Sequence, residues 1–201
     1  MSIRVLAIIA ASMCIACDTP TPGAVSGNVA APSSLFDQQV PVPGQVPPIH
    51  AGLGANVTIG MFDNCDPETF NANIRPGACV RNGGMKFDQF IALLTQLGFV
   101  GPWHFSRPVA NAKVGQTLLV ANHGGEGHTF TEVEEFGGGF VQQLNDLSGN
   151  PAPAPECLNL PQGAIVAPGQ VFTETTDESG DEKYQCCIHP WMRLNLHVTE
   201  K

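Results

Sequence analysis

The stretch Tyr184-Gln185-Cys186-Cys187-Ile188-His189-Pro190-Trp191-Met192 decides how the rest of the chain is read. It sets a cysteine, a histidine and a methionine at positions 186, 189 and 192, three residues apart each time. A thiolate, an imidazole and a weak thioether on one short loop form a ligand set that suits copper. Such a site needs a second imidazole, and Gly127-His128-Thr129-Phe130-Thr131 supplies one upstream. Two histidines and a cysteine in a trigonal arrangement, with a long axial methionine, make an electron-transfer copper site.

These residues resemble the blue copper proteins, the cupredoxins. The Cys-x2-His-x2-Met spacing is similar to the short ligand loop of the pseudoazurin type. The run from His128 to Thr131, continuing into Glu135-Phe136-Gly137-Gly138-Gly139, resembles bacterial plastocyanin- and azurin-like proteins. The likeness covers roughly residues 98 to 201. A lone Cys-x2-His pair would fit a zinc site equally well. The ordered pair of motifs is the specific signal.

The resemblance implies an all-β fold, a Greek-key β-sandwich, binding one copper ion through His128, Cys186, His189 and Met192. Cys186 rather than Cys187 matches the family spacing to His189 and Met192. Adjacent strand residues face opposite ways, so Cys187 should point elsewhere. Thr129 falls where the family carries a small polar residue that ties the two ligand loops together, its backbone N–H donating to the thiolate. By the same likeness the ring edge of His189 reaches the surface and passes electrons, with Pro190 and Trp191 as an apolar rim. His123, in a glycine-rich turn, is the competing imidazole and reads as exposed. His50, His104 and His197 carry no motif.

Only 13% of residues are charged, with 18 acidic against 9 basic and a net charge of −9. That balance argues against nucleic acid, whose phosphates demand Lys and Arg, and suits steering towards a basic partner. Residues 1–16 hold one positive charge, Arg4, and an apolar run too short to span a bilayer, the pattern of a signal peptide. Cys14-Ile15-Ala16-Cys17 resembles a bacterial lipobox, with Cys17 as the lipidated residue and Cys14 where leucine is usual. Export to the periplasm or extracytoplasmic face follows, with membrane attachment only through a lipid anchor. Residues 17–48 form a Pro/Gly/Ser-rich linker, unable to build a hydrogen-bonded ladder.

Residues 49–97 read as an N-terminal extension, and whether they join the sandwich is open at this level. Within it, apolar residues at 87, 90, 91, 94 and 97, closed by Gly98, predict one short helix over 87–97. From Trp103 the pattern turns to short apolar runs between glycines, predicting strands at 117–121, 128–133, 171–175, 183–186 and 194–199. With Cys186 assigned to copper and Cys14 and Cys17 set aside, Cys65, Cys79, Cys157 and Cys187 remain, and four cysteines allow three pairings. Cys65–Cys79 would close a short loop and Cys157–Cys187 would pin the 151–155 insertion, against the rival of a free buried Cys187.

The expected function is that of a monomeric electron carrier cycling Cu(I) and Cu(II), without substrate chemistry, docking transiently on a cytochrome or oxidase subunit. The alternative is periplasmic copper binding for delivery or storage. A zinc-held module would leave Met192 unexplained, since zinc has little use for a thioether.

Overall fold

The computed structural model describes residues 56–201, all within the second of two compact units, Pro48–Lys201. The signal peptide, Cys17 and the linker lie outside the described residues. In chain order the elements are β1 (Val57–Phe62), α1 (Pro67–Asn73), α2 (Phe87–Leu97), β2 (His104–Phe105), β3 (Val109–Lys113) and β4 (Thr117–Asn122). There follow β5 (His128–Thr129), β6 (Thr131–Val133), α3 (Gln142–Leu147), α4 (Pro155–Leu158), β7 (Ile165–Val166), β8 (Val171–Thr175), β9 (Gly180–Gln185) and β10 (Arg193–Thr199).

The strands make two four-stranded sheets, β2-β1-β4-β8 and β3-β10-β9-β6, with β5 and β7 forming a small separate pair. Strict alternation of buried and exposed residues in β3, β4 and β10 marks one face of each sheet as interior. Leu118 and Val120 from the first sheet share one apolar cluster with Leu194, Leu196 and Val198 from the second. That shared core is the expected sandwich.

The open question about residues 49–97 is resolved for their described part. Strand β1 lies inside the first sheet, parallel to β4 with Ile59 opposite Val120, and antiparallel to β2. Ile59 and Met61 are fully buried. The predicted helix is α2, ending at Gly98, whose φ of 75° puts it in the left-handed region glycine favours, with its N–H donating to Leu94 O at 2.8 Å. Helix α1, capped by Asp66 accepting from Thr69 N at 2.9 Å, was not legible in the sequence, nor were α3 and α4.

Helices α1 and α2 meet through aromatic rings. Phe70 packs against Phe87, Phe90 and Trp103 with centroids 5.3, 5.5 and 5.8 Å away. This layer roofs one end of the sandwich, over the ligand loop.

Candidate metal centre

Three backbone features bring the predicted ligands together. Strand β5 holds His128 and Thr129 beside β7, with His128 opposite Val166. Strand β9 ends at Gln185 and delivers Cys186, while β10 leaves again from Arg193. The intervening turn is closed by Cys186 N–H donating to Met192 O at 3.0 Å and Met192 N–H donating to His189 O at 2.9 Å. Three-residue ligand spacing is thus the span of one hydrogen-bonded turn.

The Cys186 sulfur lies 3.8 Å from Nδ1 of His128 and 3.8 Å from Nδ1 of His189. All three residues are buried, and Cys186 is the free cysteine among the described residues. Donors about 2.3 Å (sulfur) and about 2.05 Å (nitrogen) from one shared ion stand about 3.8 Å apart at a trigonal angle and about 3.6 Å apart at a tetrahedral one. Either way, the spacing lets one ion reach the sulfur and both nitrogens. Burial opposes ionisation of Cys186, but hydrogen bonds from His128 and then His189 outweigh it and hold the thiol well below its usual range. A thiolate between two Nδ1 atoms is a soft, preformed donor set, and it fits copper.

Thr129 joins the two ligand segments. Its N–H donates to Cys186 Sγ at 3.4 Å, and its hydroxyl accepts from Cys187 N at 2.8 Å. Cys187 turns away into a second cluster with Val133 and Ala154, disulfide-bonded to Cys157; Cys65 is bonded to Cys79. Met192 is buried in the main core, on the same turn as Cys186 and His189. His123 is exposed and stacks on Phe62 instead of joining the cluster.

Behind each imidazole stands a carboxylate that sequence reading missed. Asp63 Oδ2 is 2.9 Å from His128 Nε2, and the carboxylate also accepts from the N–H groups of Gly125 and Glu126. Burial would raise its pKa, but the His128 bond, followed by those backbone donors, lowers it to about 2. Burial likewise opposes charging of His128, yet Asp63 and then Cys186 raise its pKa to about 9. Glu126 Oε2 faces His189 Nε2 at 3.6 Å and accepts from Trp103 Nε1 at 2.7 Å. Burial pushes the Glu126 pKa up, only partly countered by His189 and Trp103. With Nε2 turned towards a carboxylate on both rings, Nδ1 is left for the cluster.

Asn122-His123-Gly124-Gly125-Glu126-Gly127 is the loop that makes this possible. Asn122 pins it from within, donating to Glu126 O and Val166 O at 2.8 Å each and accepting from Gly124 N. A Cβ on Gly124 would run into the Asp63 carboxylate, so the loop needs glycine to wrap it. No local pattern announces Asp63, which meets His128 across 65 residues.

One expectation needs correction. His189 does not present its ring edge to solvent; the residue is 2% exposed. The rings of Trp191, Phe90 and Trp103 surround it at 5.5, 6.4 and 6.4 Å. The cause is the N-terminal helical layer, which covers the face the sequence left open. Pro190 is buried too, and Trp191 is partly exposed.

No protein-family profile and no curated protein matches the chain. Among solved structures it overlaps a purple cupredoxin from Nitrosopumilus maritimus, at 15% identity over 72% of this chain and 100% of that one, TM-score 0.41. An oxidised plastocyanin from Dryopteris crassirhizoma overlaps at 12% identity, 71% of this chain and 100% of that one, TM-score 0.38. A copper(I) methionine-to-alanine variant of amicyanin overlaps at 21% identity, 47% and 72% coverage, TM-score 0.32. At such scores the overlaps add no weight to what the chain's own sheets and cluster show. With its two packed four-stranded sheets carrying a buried His–Cys–His cluster at one end, the chain has a cupredoxin-like fold.

Proposed function

We propose that the protein is a type 1 copper electron carrier. One observation carries the reading: a buried, unpaired Cys186 thiol stands 3.8 Å from Nδ1 of both His128 and His189. These three residues would hold the ion, and the thioether of Met192, on the same turn, would be a further weak donor. The ion would supply a one-electron couple. The chain would supply a fixed cavity: the Thr129 N–H braces the thiolate, Asp63 and Glu126 orient the imidazoles, and buried walls keep water out. A donor set held rigid by strands and hydrogen bonds has little to rearrange when the charge changes. Burial of every donor favours this over copper delivery or storage, which needs a site that releases its ion.

Since His189 is covered, the outward electron path we assign runs from its ring to partly exposed Trp191, 5.5 Å away. Lipidation at Cys17, a periplasmic or extracytoplasmic location and a cytochrome or oxidase subunit as partner belong to the same proposal. Among the described residues no helix is long and apolar enough to cross a membrane.

The test is to add Cu(II) to the full chain with Cys17→Ser and record visible and EPR spectra. An intense thiolate-to-copper band with narrow hyperfine splitting, bleached by mild reductant and lost in Cys186→Ser, is the expected result. A colourless protein, or only a weak tetragonal copper spectrum, would overturn the proposal.

A further inference from the structure

Beside the ligand cluster, between the helical layer and the rim of the sandwich, lies a cavity of about 440 Å³. Most of its lining is apolar, including Phe70, Phe87, Phe90, Leu144 and Ile188, with polar residues such as Asn73 and Gln143 among them. Glu126 and His189 line it as well. Ile165, 53% exposed, and the exposed Arg75 also line it and form its rim.

Glu126 is the informative residue. It is 7% exposed, and its Oε2 is already held by Trp103. Its other oxygen, Oε1, has no hydrogen-bond partner among the described residues. With no protein donor on it, that oxygen remains an acceptor open to whatever enters the cavity. A cavity lined mainly by apolar side chains, with a few polar groups among them, has the size and lining of a small-molecule site. The acceptor calls for an O–H or N–H donor, and Phe70, Phe87 and Phe90 together call for a flat ring. Arg75 in the lining disfavours a cation, and among neutral groups an aromatic hydroxyl, being more acidic than a neutral N–H, is the stronger donor to a carboxylate.

We propose that this cavity binds a small, neutral, hydroxyl-bearing aromatic molecule, its ring among Phe70, Phe87 and Phe90 and its hydroxyl donating to Glu126 Oε1. The bound ring would then sit against His189, inside the layer that keeps solvent from the cluster. Nothing in this site requires a metal, so it stands or falls apart from the copper proposal.

The probe is 1-naphthol, titrated into the metal-free full-length protein and followed by methyl NMR. The expected result is saturation at one molecule per chain, with shifts at Ile91, Leu144, Ile165 and Ile188. Naphthalene, which has the same ring and no donor, should bind about 10-fold more weakly. Naphthalen-1-ylmethylammonium should also bind more weakly than the naphthol. Ile165→Trp, which fills the mouth, should abolish the shifts, with unchanged Leu118 and Leu196 signals showing that the sandwich is intact. Glu126→Gln should remove most of the preference for naphthol over naphthalene. Equal affinity for naphthol and naphthalene, tighter binding of the cation, or binding undiminished by a folded Ile165→Trp would each overturn the inference. Absence of saturable binding would do so too, whatever the copper spectra show.

Discussion

Asp63→Asn tests how far the ligand histidine depends on the carboxylate behind it. The pair is buried, with side chains 0% and 1% exposed and 2.9 Å between Nε2 and Oδ2. In the metal-free protein the fall of the Asp63 pKa from 3.8 to about 2 corresponds to about 2 kcal/mol. The larger rise at His128, to about 9, includes the Cys186 sulfur, so the Asp63 side is the better measure of this pair. The signs follow from linkage. A histidine with a raised folded pKa stabilises fully below about 6.5, and that stability is lost as pH rises through about 9. A depressed carboxylate stabilises above its ordinary pKa of 3.8 and loses that as pH falls towards about 2. The pair is therefore worth most between about pH 4 and pH 6.5. Urea unfolding of the metal-free proteins should show Asp63→Asn less stable by about 2 kcal/mol at pH 6, the gap narrowing by pH 10. With copper, a competition titration should show Cu(II) affinity lower by about 10- to 100-fold. The potential should rise, because the lost anion stabilises the dication more than the monocation. An equal stability gap at both pH values, together with unchanged copper affinity, would refute the reasoning.

Three further outcomes are expected. Glu174, crowded by Glu132 and Glu182 after partial burial has already raised its pKa, sits at about 7, so its folded form holds a proton that the unfolded chain releases near 4.5. Stability should fall as pH rises from about 4.5 to 7, and Glu174→Gln should flatten that slope and gain about 1 kcal/mol at pH 8 after solvent screening, as read by thermal melts. Gly124→Ala should cost about 1–3 kcal/mol and loosen copper, because the new methyl meets the Asp63 carboxylate; denaturation with copper titration checks both. Trp191→Leu should slow electron self-exchange by NMR line broadening while leaving the visible spectrum intact, and an unchanged exchange rate would count against the Trp191 route.

The sequence was most informative where structure is local. Helix 87–97 and strand 171–175 match α2 and β8 in their bounds, because amphipathic spacing and a following Gly98 are readable over a dozen residues. The 186–192 turn was legible for the same reason: Cys186, His189 and Met192 belong to one hydrogen-bonded turn. What escaped was non-local. Strand β1 earns its place in the sheet by pairing in parallel with β4, to which no turn connects it directly. Its neighbour Asp63 looks like an ordinary loop aspartate until the fold sets it against His128. Burial of His189 escaped too, since the family likeness stopped at residue 98 and the covering Phe90 lies before it.

The separation of donors along the chain also bears on how copper and folding are coupled. Cys186, His189 and Met192 lie on one short loop, whereas His128 joins from 58 residues before Cys186. An unfolded chain would still offer the local trio to a copper ion. Only tighter binding to the native state than to the unfolded chain shifts the unfolding equilibrium. In the proposed copper protein, the ion's protection of the fold would thus be set by the distant imidazole and by exclusion of water, not by the full strength of its bonds. The same loop would, in the proposed copper protein, give an unfolded chain a handle with which to capture the ion before the sandwich closes around it.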